Sequence, residues 1–359
     1  MEILVTHPGR QHVHQLLYAL QRHDVPFEFW TGVPSAPTEN RGMLYRLLSR
    51  MSPPPLLDIP GDRVRHFPIA PIVRRLSSIF CSPGSAVKWG HRGDNWFDWW
   101  CANQIDTVSP DVVIAYENAA LHTFKAAKER GAITIFDAAS FHYLWQDRFY
   151  DYPEPETVHQ RINAHKQREL QHADYVLTVS ELARQSYIEG GVPEDRVFSV
   201  PVGCDLTRFQ NKSTPATPDE NEPFTFIFAG HVSDRKGIDI LFDALKSIPA
   251  SDHELRVEIA GGESASVSWP ADPRIKRLGR IPQAELAKRF QQADCLVLPS
   301  RHDSFGMVVV EAMATGLPVI VTEHVGSKEA VTEGESGWVI PAEDPDALRE
   351  RMQWCLEHE

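Results

Sequence analysis

Cysteine is scarce and scattered. Five occur in 359 residues (Cys81, Cys101, Cys204, Cys295 and Cys355), an odd number without a CxxC pair. That spacing argues against both a disulfide framework and a zinc site and points to a reducing, cytoplasmic setting. No uninterrupted apolar run is long enough to cross a bilayer. The opening MEILVTHPGR lacks a basic region followed by a long apolar core and a small-residue cleavage site, so secretion is not expected. Positive charge is also in short supply. With 36 Lys and Arg against 49 Asp and Glu, the net charge of -13 would repel a phosphate backbone and argues against nucleic acid as a partner.

What remains is an ordinary globular composition, 42% hydrophobic and 24% charged. The length exceeds what one hydrophobic core normally organises, which predicts two domains. Charge is uneven between them. Residues 206–359 hold 16 Lys and Arg against 25 Asp and Glu, leaving 20 against 24 for the first 205. Within the first part, Arg41, Arg46, Arg50, Arg63, Arg65, Arg74 and Arg75 form a basic segment with only Asp58 and Asp62 opposing. Interleaved with Met43, Leu44, Leu47, Leu48 and Met51, it is readable as a face for anionic lipid or a lipid-linked diphosphate. It is equally readable as a helix with a solvated basic face, and the acidic whole opposes general membrane attraction.

Short apolar or β-branched runs alternate with longer helical stretches, the pattern of doubly wound α/β folds with parallel sheets. Strands are expected at Ile3–Thr6, Asp111–Tyr116, Ala132–Asp137 and Tyr175–Ser180, then at Thr225–Ala229, Arg256–Ala260, Cys295–Pro299, Pro318–Thr322 and Gly337–Ile340. Helices are expected at Leu121–Arg130, Val158–His172, Ile238–Ser247, Gln283–Gln292 and Phe305–Thr315. The polar, proline-containing stretch 206–223 reads as a linker between domains 1–205 and 224–359. The proline-rich segment Met51–Pro83 fits no regular βα unit.

The strongest chemical signal is PSRHDSFGMVVVEAMATGLPVIV, from Pro299 to Val321. A buried strand enters a loop, a glycine opens a helix, and amides at Gly306, Met307 and Val308 would meet a diphosphate at the positive end of that helix, with Phe305 beside them. Asp303 and Glu311, eight residues apart, can each accept hydrogen bonds from hydroxyls. From spacing alone, Asp303 is as readily a helix cap and Glu311 a satisfied acid beside an apolar face. In FIFAGHVSDRKGIDILFDAL a strand ends at Gly230, and Arg235 and Lys236 precede a helix, placed to face a leaving diphosphate or merely solvated. THPGRQHVHQLLYAL is a strand, a glycine loop and a helix, in which His12 and His14 read as surface residues.

These segments resemble the family 4 retaining glycosyltransferases, across most of residues 110–350. Pro299–Val321 is similar to the family's E-x7-E element, with Asp303 in place of the first glutamate. The resemblance implies that Asp303 contacts a donor sugar and Glu311 a ribose. The glycine-lysine loop is similar to G-R-L-x-x-x-K-G. Lys236 matches the lysine, whereas His231 stands where the family has arginine, so Arg235 is the candidate to supply the missing charge. Arg280 and Ile281, in RIKRLGRIPQAEL, match a loop lying against the nucleotide base. Gly9 and Arg10 correspond to the loop that closes over the donor phosphates and touches the acceptor. His142, in FDAASFHYLW, stands near a position where relatives contact the transferred sugar. Tyr116 and Glu117, in YEN, are expected to face the cleft on the acceptor side. Glu169, Asp174 and Ser180 read as architectural, and Gly203–Phe209 as the crossing between domains. In many relatives the last helix leads into another that returns to the N-terminal domain; here the sequence ends at Glu359.

The fold implied is GT-B, two Rossmann-like domains facing a central cleft. The activity implied is transfer of a hexose-type sugar, with retention, from a nucleotide-diphosphate sugar to a glycan, lipid-linked or small-molecule acceptor. The departing phosphate would take the acceptor proton, and neither a cofactor nor an obligatory metal is expected. The sole DxD, Asp344–Asp346, sits where a helix needs an N-cap. The expected location is cytoplasmic, with peripheral membrane contact if Arg41–Arg75 meets lipid. Two other classes remain open: a nucleotide-sugar epimerase or phosphorylase on the same fold, and a nucleotide-sugar-binding module without turnover.

Overall fold

Strand pairing throughout is parallel, because the central strands are apolar on both faces and need helices on both sides. The computed structural model describes residues 1–9, 12–33, 59–149, 152–211, 223–249, 255–264 and 266–358. They form two units, Met1–Val179 with Arg184–Val200, and Ser180–Ala183 with Pro201–Glu359.

The first unit carries β1 (Ile3–His7), β2 (Phe27–Thr31), β3 (Val64–His66), β4 (Val112–Tyr116), β5 (Ile133–Ala138), β6 (Tyr175–Thr178) and β7 (Val197–Ser199). Their order is β3-β2-β1-β4-β5-β6-β7. Among the described residues seven α-helices belong to this part of the chain: α1 (Val13–Arg22), α2 (Ile69–Phe80), α3 (Pro83–Gln104), α4 (Leu121–Lys128), α5 (Tyr143–Gln146), α6 (Glu156–His172) and α7 (Glu181–Glu189). All five residues of β1 are buried, and Leu4, Trp30, Phe97, Phe124 and Phe136 belong to one apolar cluster. Burying a side chain of that size contributes about 1.5–3 kcal/mol.

The second unit is built from β8 (Phe224–Ala229), α8 (Ile238–Lys246), β9 (Leu255–Ala260), β10 (Ile275–Gly279), α9 (Gln283–Gln292), β11 (Cys295–Leu298), α10 (Met307–Ala314), β12 (Val319–Thr322), β13 (Gly337–Ile340) and α11 (Pro345–Glu357). The sheet order is β10-β9-β8-β11-β12-β13. Every residue of β11 and β12 is buried. In each sheet the winding reverses once, between β1 and β4 and between β8 and β11. At such a point the connections diverge to opposite sides and leave a crevice beyond the carboxyl ends of the strands.

The segment Met51–Pro83 is more regular than its prolines imply. Its described part holds β3 and α2, while residues 51–58 lie outside the described residues. Pro68 is the N-cap of α2 and Pro71 falls in its first turn. There the missing N–H had no intrahelical partner to lose, so proline punctuates the helix without breaking it. The part of linker 206–223 at 212–222 also lies outside the described residues. Among the described residues no helix is long and apolar enough to cross a membrane.

Candidate active site

The carboxyl ends of β8 and β11 bring the two strongest sequence motifs together. Lys236 lies in a 3-10 turn after β8, capped by Gly237 in the left-handed region at φ 68°. A Cβ at Gly237 would overlap the carbonyl of Pro299, so only glycine lets this turn lie against the β11 loop. That approach puts the Lys236 ammonium on the Asp303 carboxylate as a hydrogen-bonded ion pair. Both side chains are nearly enclosed, 11% and 13% exposed. Burial alone would raise the Asp303 carboxyl, but Lys236, then Arg235 and the Phe305 N–H, hold it below the usual carboxylate range.

Asp303 does not cap α10. Gly306, at φ 83°, occupies the N-cap without a side-chain bond, so Phe305 and Gly306 precede the helix that was expected to start at Phe305. The loop is pinned from several sides. The Asp303 N–H donates to the His324 carbonyl at 2.9 Å, and the Gly326 and Ser327 N–H groups donate to the carbonyls of Asp303 and Phe305 at 2.9 and 2.6 Å. Ser180 Oγ donates to the Ser304 carbonyl at 2.6 Å. The positive end of α10 is thereby held beside Asp303 and Lys236, with Met307 and Val308 in its first turn.

Arg301, which the sequence reading passed over, is the main brace. Its guanidinium donates to both oxygens of Asp239 on α8 at 2.8 and 2.7 Å and to Glu343 at 3.1 Å. The signal available was an arginine two residues before the motif acid, with an aspartate in the first turn of α8, the helix that follows the Lys236 loop. Arg235 donates to the His302 carbonyl at 3.3 Å. His302 is buried, and desolvation with Arg235 nearby lowers its pKa to about 4, so it stays neutral there. His231 is exposed and its Nε2 lies 2.9 Å from Ser264 Oγ.

Glu311, on α10, is only 8% exposed and has neither an ion pair nor a hydrogen bond from a described residue. Burial pushes its carboxyl up to about 7, against the pull of Arg208. A buried carboxyl left this way is suited to receive hydroxyl donors. Arg280 lies against Gly262, where any Cβ would overlap its guanidinium, and Ile281 packs on the core of the second unit.

The remaining residues belong to the first unit. Gly9 donates to His7 Nδ1 at 2.8 Å, while Arg10 lies outside the described residues. The Tyr116 ring stands 4.1 Å from the His7 ring. Glu117 is buried, 2.6 Å from the Lys166 ammonium and 2.5 Å from Ser140 Oγ. His142 is buried and caps α5, its Nδ1 accepting the Leu144 N–H at 3.3 Å. Desolvation lowers its pKa to about 4.

His12 and His14, expected at the surface, are not surface residues: His14 is buried, and His12 Nε2 sits 2.7 Å from Asp137 Oδ1. Glu169 accepts the N–H groups of Asn118 and Ala120 at 3.0 and 2.9 Å. Asp344 caps α11 through the Ala347 N–H at 2.9 Å. Of the seven arginines in the basic segment, Arg41, Arg46 and Arg50 lie outside the described residues. Arg74 is spoken for by Asp94 at 2.8 and 2.6 Å and Arg65 by Glu28 at 3.3 Å. No group of three or more His, Cys, Asp or Glu side chains among the described residues is placed to hold a metal ion.

Two family profiles cover nearly the whole chain. "Glycosyltransferase Family 4" matches residues 9–208 and "Glycosyl transferases group 1" matches 209–359. Among curated proteins, a putative colanic acid biosynthesis glycosyltransferase, WcaL of Salmonella typhimurium, is 26% identical over 265 residues, 70% of this chain and 63% of its own length. The chain therefore spans less than two thirds of that relative. D-inositol 3-phosphate glycosyltransferase of Xylanimonas cellulosilytica is 26% identical over 332 residues, 81% of this chain and 73% of its own. Among solved structures, Anabaena HepE in complex with UDP superposes with a TM-score of 0.66 at 16% identity, covering 99% of this chain and 90% of its own. Sucrose-phosphate synthase from Thermosynechococcus elongatus gives 0.66 at 18%, covering 100% and 90%. At such identities the likeness establishes the fold: two parallel α/β units of the GT-B type.

Proposed function

The chain belongs to glycosyltransferase family 4, and on that footing we propose that it moves a hexose-type sugar from a nucleotide-diphosphate sugar to a hydroxyl of a glycan or lipid-linked acceptor, with retention at the anomeric carbon. The observation that carries the reading is the Lys236–Asp303 pair at the mouth of α10. A cation, a helix dipole and a hydroxyl acceptor are gathered where a sugar diphosphate needs all three.

In the reaction the anomeric C–O bond to the diphosphate breaks, and negative charge grows on the leaving oxygens. Lys236, Arg235 and the amides of Gly306, Met307 and Val308 stabilise that charge in a site largely closed to water. Asp303 accepts sugar hydroxyls, and Glu311 accepts the ribose hydroxyls two turns along α10. Arg280 and Ile281 flank the base, and His231 and Gly9 complete the phosphate side. The acceptor oxygen forms the new bond and its proton passes to the departing phosphate, so no metal is required. His142 enters this reading as a sugar contact and Arg10, Tyr116 and Glu117 as acceptor contacts. The solved HepE complexes with UDP and UDP-glucose favour a uridine nucleotide as the first donor to try.

The test is a panel of UDP-, GDP-, ADP- and dTDP-sugars, read by thermal shift and by release of the nucleoside diphosphate, with and without EDTA. One donor should raise the melting temperature and be slowly hydrolysed, in EDTA as well, and both effects should vanish in Lys236→Met. Epimerised donor or free sugar phosphate in the products would instead indicate the epimerase or phosphorylase reading. Peripheral membrane contact through Arg41–Arg75 is a separate proposal, weakened by the pairing of Arg65 and Arg74. Liposome flotation without salt-sensitive binding to anionic lipid removes it.

A further inference from the structure

We propose that His12 and Asp137 form the anchor for a hydroxyl of the acceptor, and that the reacting end of the acceptor is a neutral polyol rather than a phosphorylated group. This rests on the transferase reading above. β1 and β4 are the strands between which the first sheet reverses its winding, and β5 lies beyond β4. His12 precedes α1 at the end of the β1 loop, and its imidazole reaches Asp137 at the end of β5, 2.7 Å away. The pair therefore spans the carboxyl end of β4, where Tyr116 lies 6.1 Å from the His12 ring. A bond drawn across a switch-point crevice is where such folds receive ligands.

The hydrogen bond also sets the chemistry. In the tautomer whose Nε2–H is directed at the Asp137 carboxylate, Nδ1 is an acceptor. Among the described residues nothing bonds to it, and the side chain is 16% exposed. Two buried polar atoms nearby are independently left without partners. His7 Nδ1 accepts the Gly9 N–H, so its proton is on Nε2, and that buried N–H has no acceptor. Burial, then neighbouring His12, His14 and Arg74, keep His7 neutral. Asn118 Oδ1, just beyond β4 at φ 71°, is likewise buried without a donor. The His7 N–H, on a ring 6.3 Å from that of His12, sets an orphaned donor beside an imidazole acceptor and matches hydroxyls, each of which donates and accepts.

The paired charges favour a neutral group. Lys166 is paired with Glu117 at 2.6 Å and Arg74 with Asp94 at 2.6 Å, so neither cation is left over for a phosphate. Beside His12 stands the Asp137 carboxylate, while Arg10 lies outside the described residues.

His12 acts here as a positioning residue, and its test needs no donor. Methyl glucoside, galactoside and mannoside are titrated against the full chain by saturation-transfer NMR, with a sugar phosphate as comparator. At least one neutral glycoside should bind. His12→Gln, which can keep the Asp137 contact but has no acceptor at the Nδ1 position, should weaken it about tenfold, one hydrogen bond's worth. His12→Asn, whose amide stands where Nδ1 stood, should recover part of that loss at an unchanged melting temperature. Equal binding by wild type and His12→Gln, binding of the sugar phosphate alone, or binding of no probe would each overturn the proposal. Donor hydrolysis by the wild-type chain, measured in parallel, reports on the transferase reading separately.

Discussion

Lys236 and Asp303, 67 positions apart in sequence, meet as an ion pair with 11% and 13% of their side chains exposed. In the absence of a donor each neutralises the other, so neither is an isolated buried charge. In the proposed reaction a bound donor would divide them, giving the ammonium a phosphate partner and the carboxylate a sugar hydroxyl. The sequence order of these residues says nothing of this; the close approach at Gly237 brings it about.

Removing one member should therefore harm the fold as well as the site. Lys236→Met leaves a buried carboxylate unpaired, and breaking such a pair costs about 3–5 kcal/mol. The double substitution Lys236→Met with Asp303→Leu should regain much of that stability while binding no donor. Urea unfolding of the three proteins checks the first statement and donor-induced thermal shift the second. The carboxyl of Asp303 is held below its ordinary value, so the pair's contribution is present above the unfolded value and is lost as pH falls through the folded one. In Lys236→Met burial is left to raise the Asp303 carboxyl, so the acid-side loss of stability that the pair gives the wild type should disappear and the two proteins should differ least at low pH.

Arg301 and Asp239 should behave as one element. The guanidinium fork ties the β11 loop to α8, so Arg301→Ala should loosen the loop that carries Asp303 without touching the donor. Nucleoside diphosphate affinity is expected to fall about tenfold, the effect of about 1.4 kcal/mol. Asp239→Ala should produce a similar loss, and the double variant little more than either. Full additivity in isothermal titration would mean that the two residues do not act through a shared contact.

The long strands and the helices around the motifs were legible because burial on both faces leaves apolar runs, such as CLVL in β11 and VIVT in β12. Of the strands that were not foreseen, β3 and β7 are three-residue edge strands, whereas β2 (FEFWT) is a mostly buried inner strand between β1 and β3 that was missed outright. β10, also at an edge, reads IKRLG and is largely exposed. Edges need fewer apolar residues and tolerate charge, so the periodicity signal fades there. The two loops that meet at Lys236 and Asp303 stood out in the sequence through their resemblance to family motifs, since spacing alone left a plain structural reading equally open. The Arg301 brace and the His12–Asp137 contact did not, since each joins residues 62 and 125 positions apart that carry no local pattern.

Gly237 offers a purely steric test. Its φ of 68° disfavours any L side chain, and a Cβ would meet the Pro299 carbonyl. Gly237→Ala should lower stability by more than the roughly 1 kcal/mol of the backbone conformation alone, and it should separate Lys236 from Asp303. A variant with wild-type melting temperature and donor affinity would show that the close approach is not needed.

In the proposed reading Glu311 links pH to both stability and donor binding. Its carboxyl stands at about 7 because it is buried, above an unfolded value of about 4.3. Between those values the native state holds a proton that the unfolded chain has released, so stability falls as pH rises through the window and levels off above 7. Over that range the loss is at most about 4 kcal/mol, and Glu311→Gln should abolish it. Ribose hydroxyls donate to the ionised form, so affinity for UDP-glucose, whose diphosphate diester does not titrate here, should rise as the carboxyl ionises. From pH 6 to pH 8 the gain is about tenfold for a group at 7, and Glu311→Gln should bind weakly and evenly across the range. A wild-type affinity that stays flat between those two pH values would remove Glu311 from the ribose.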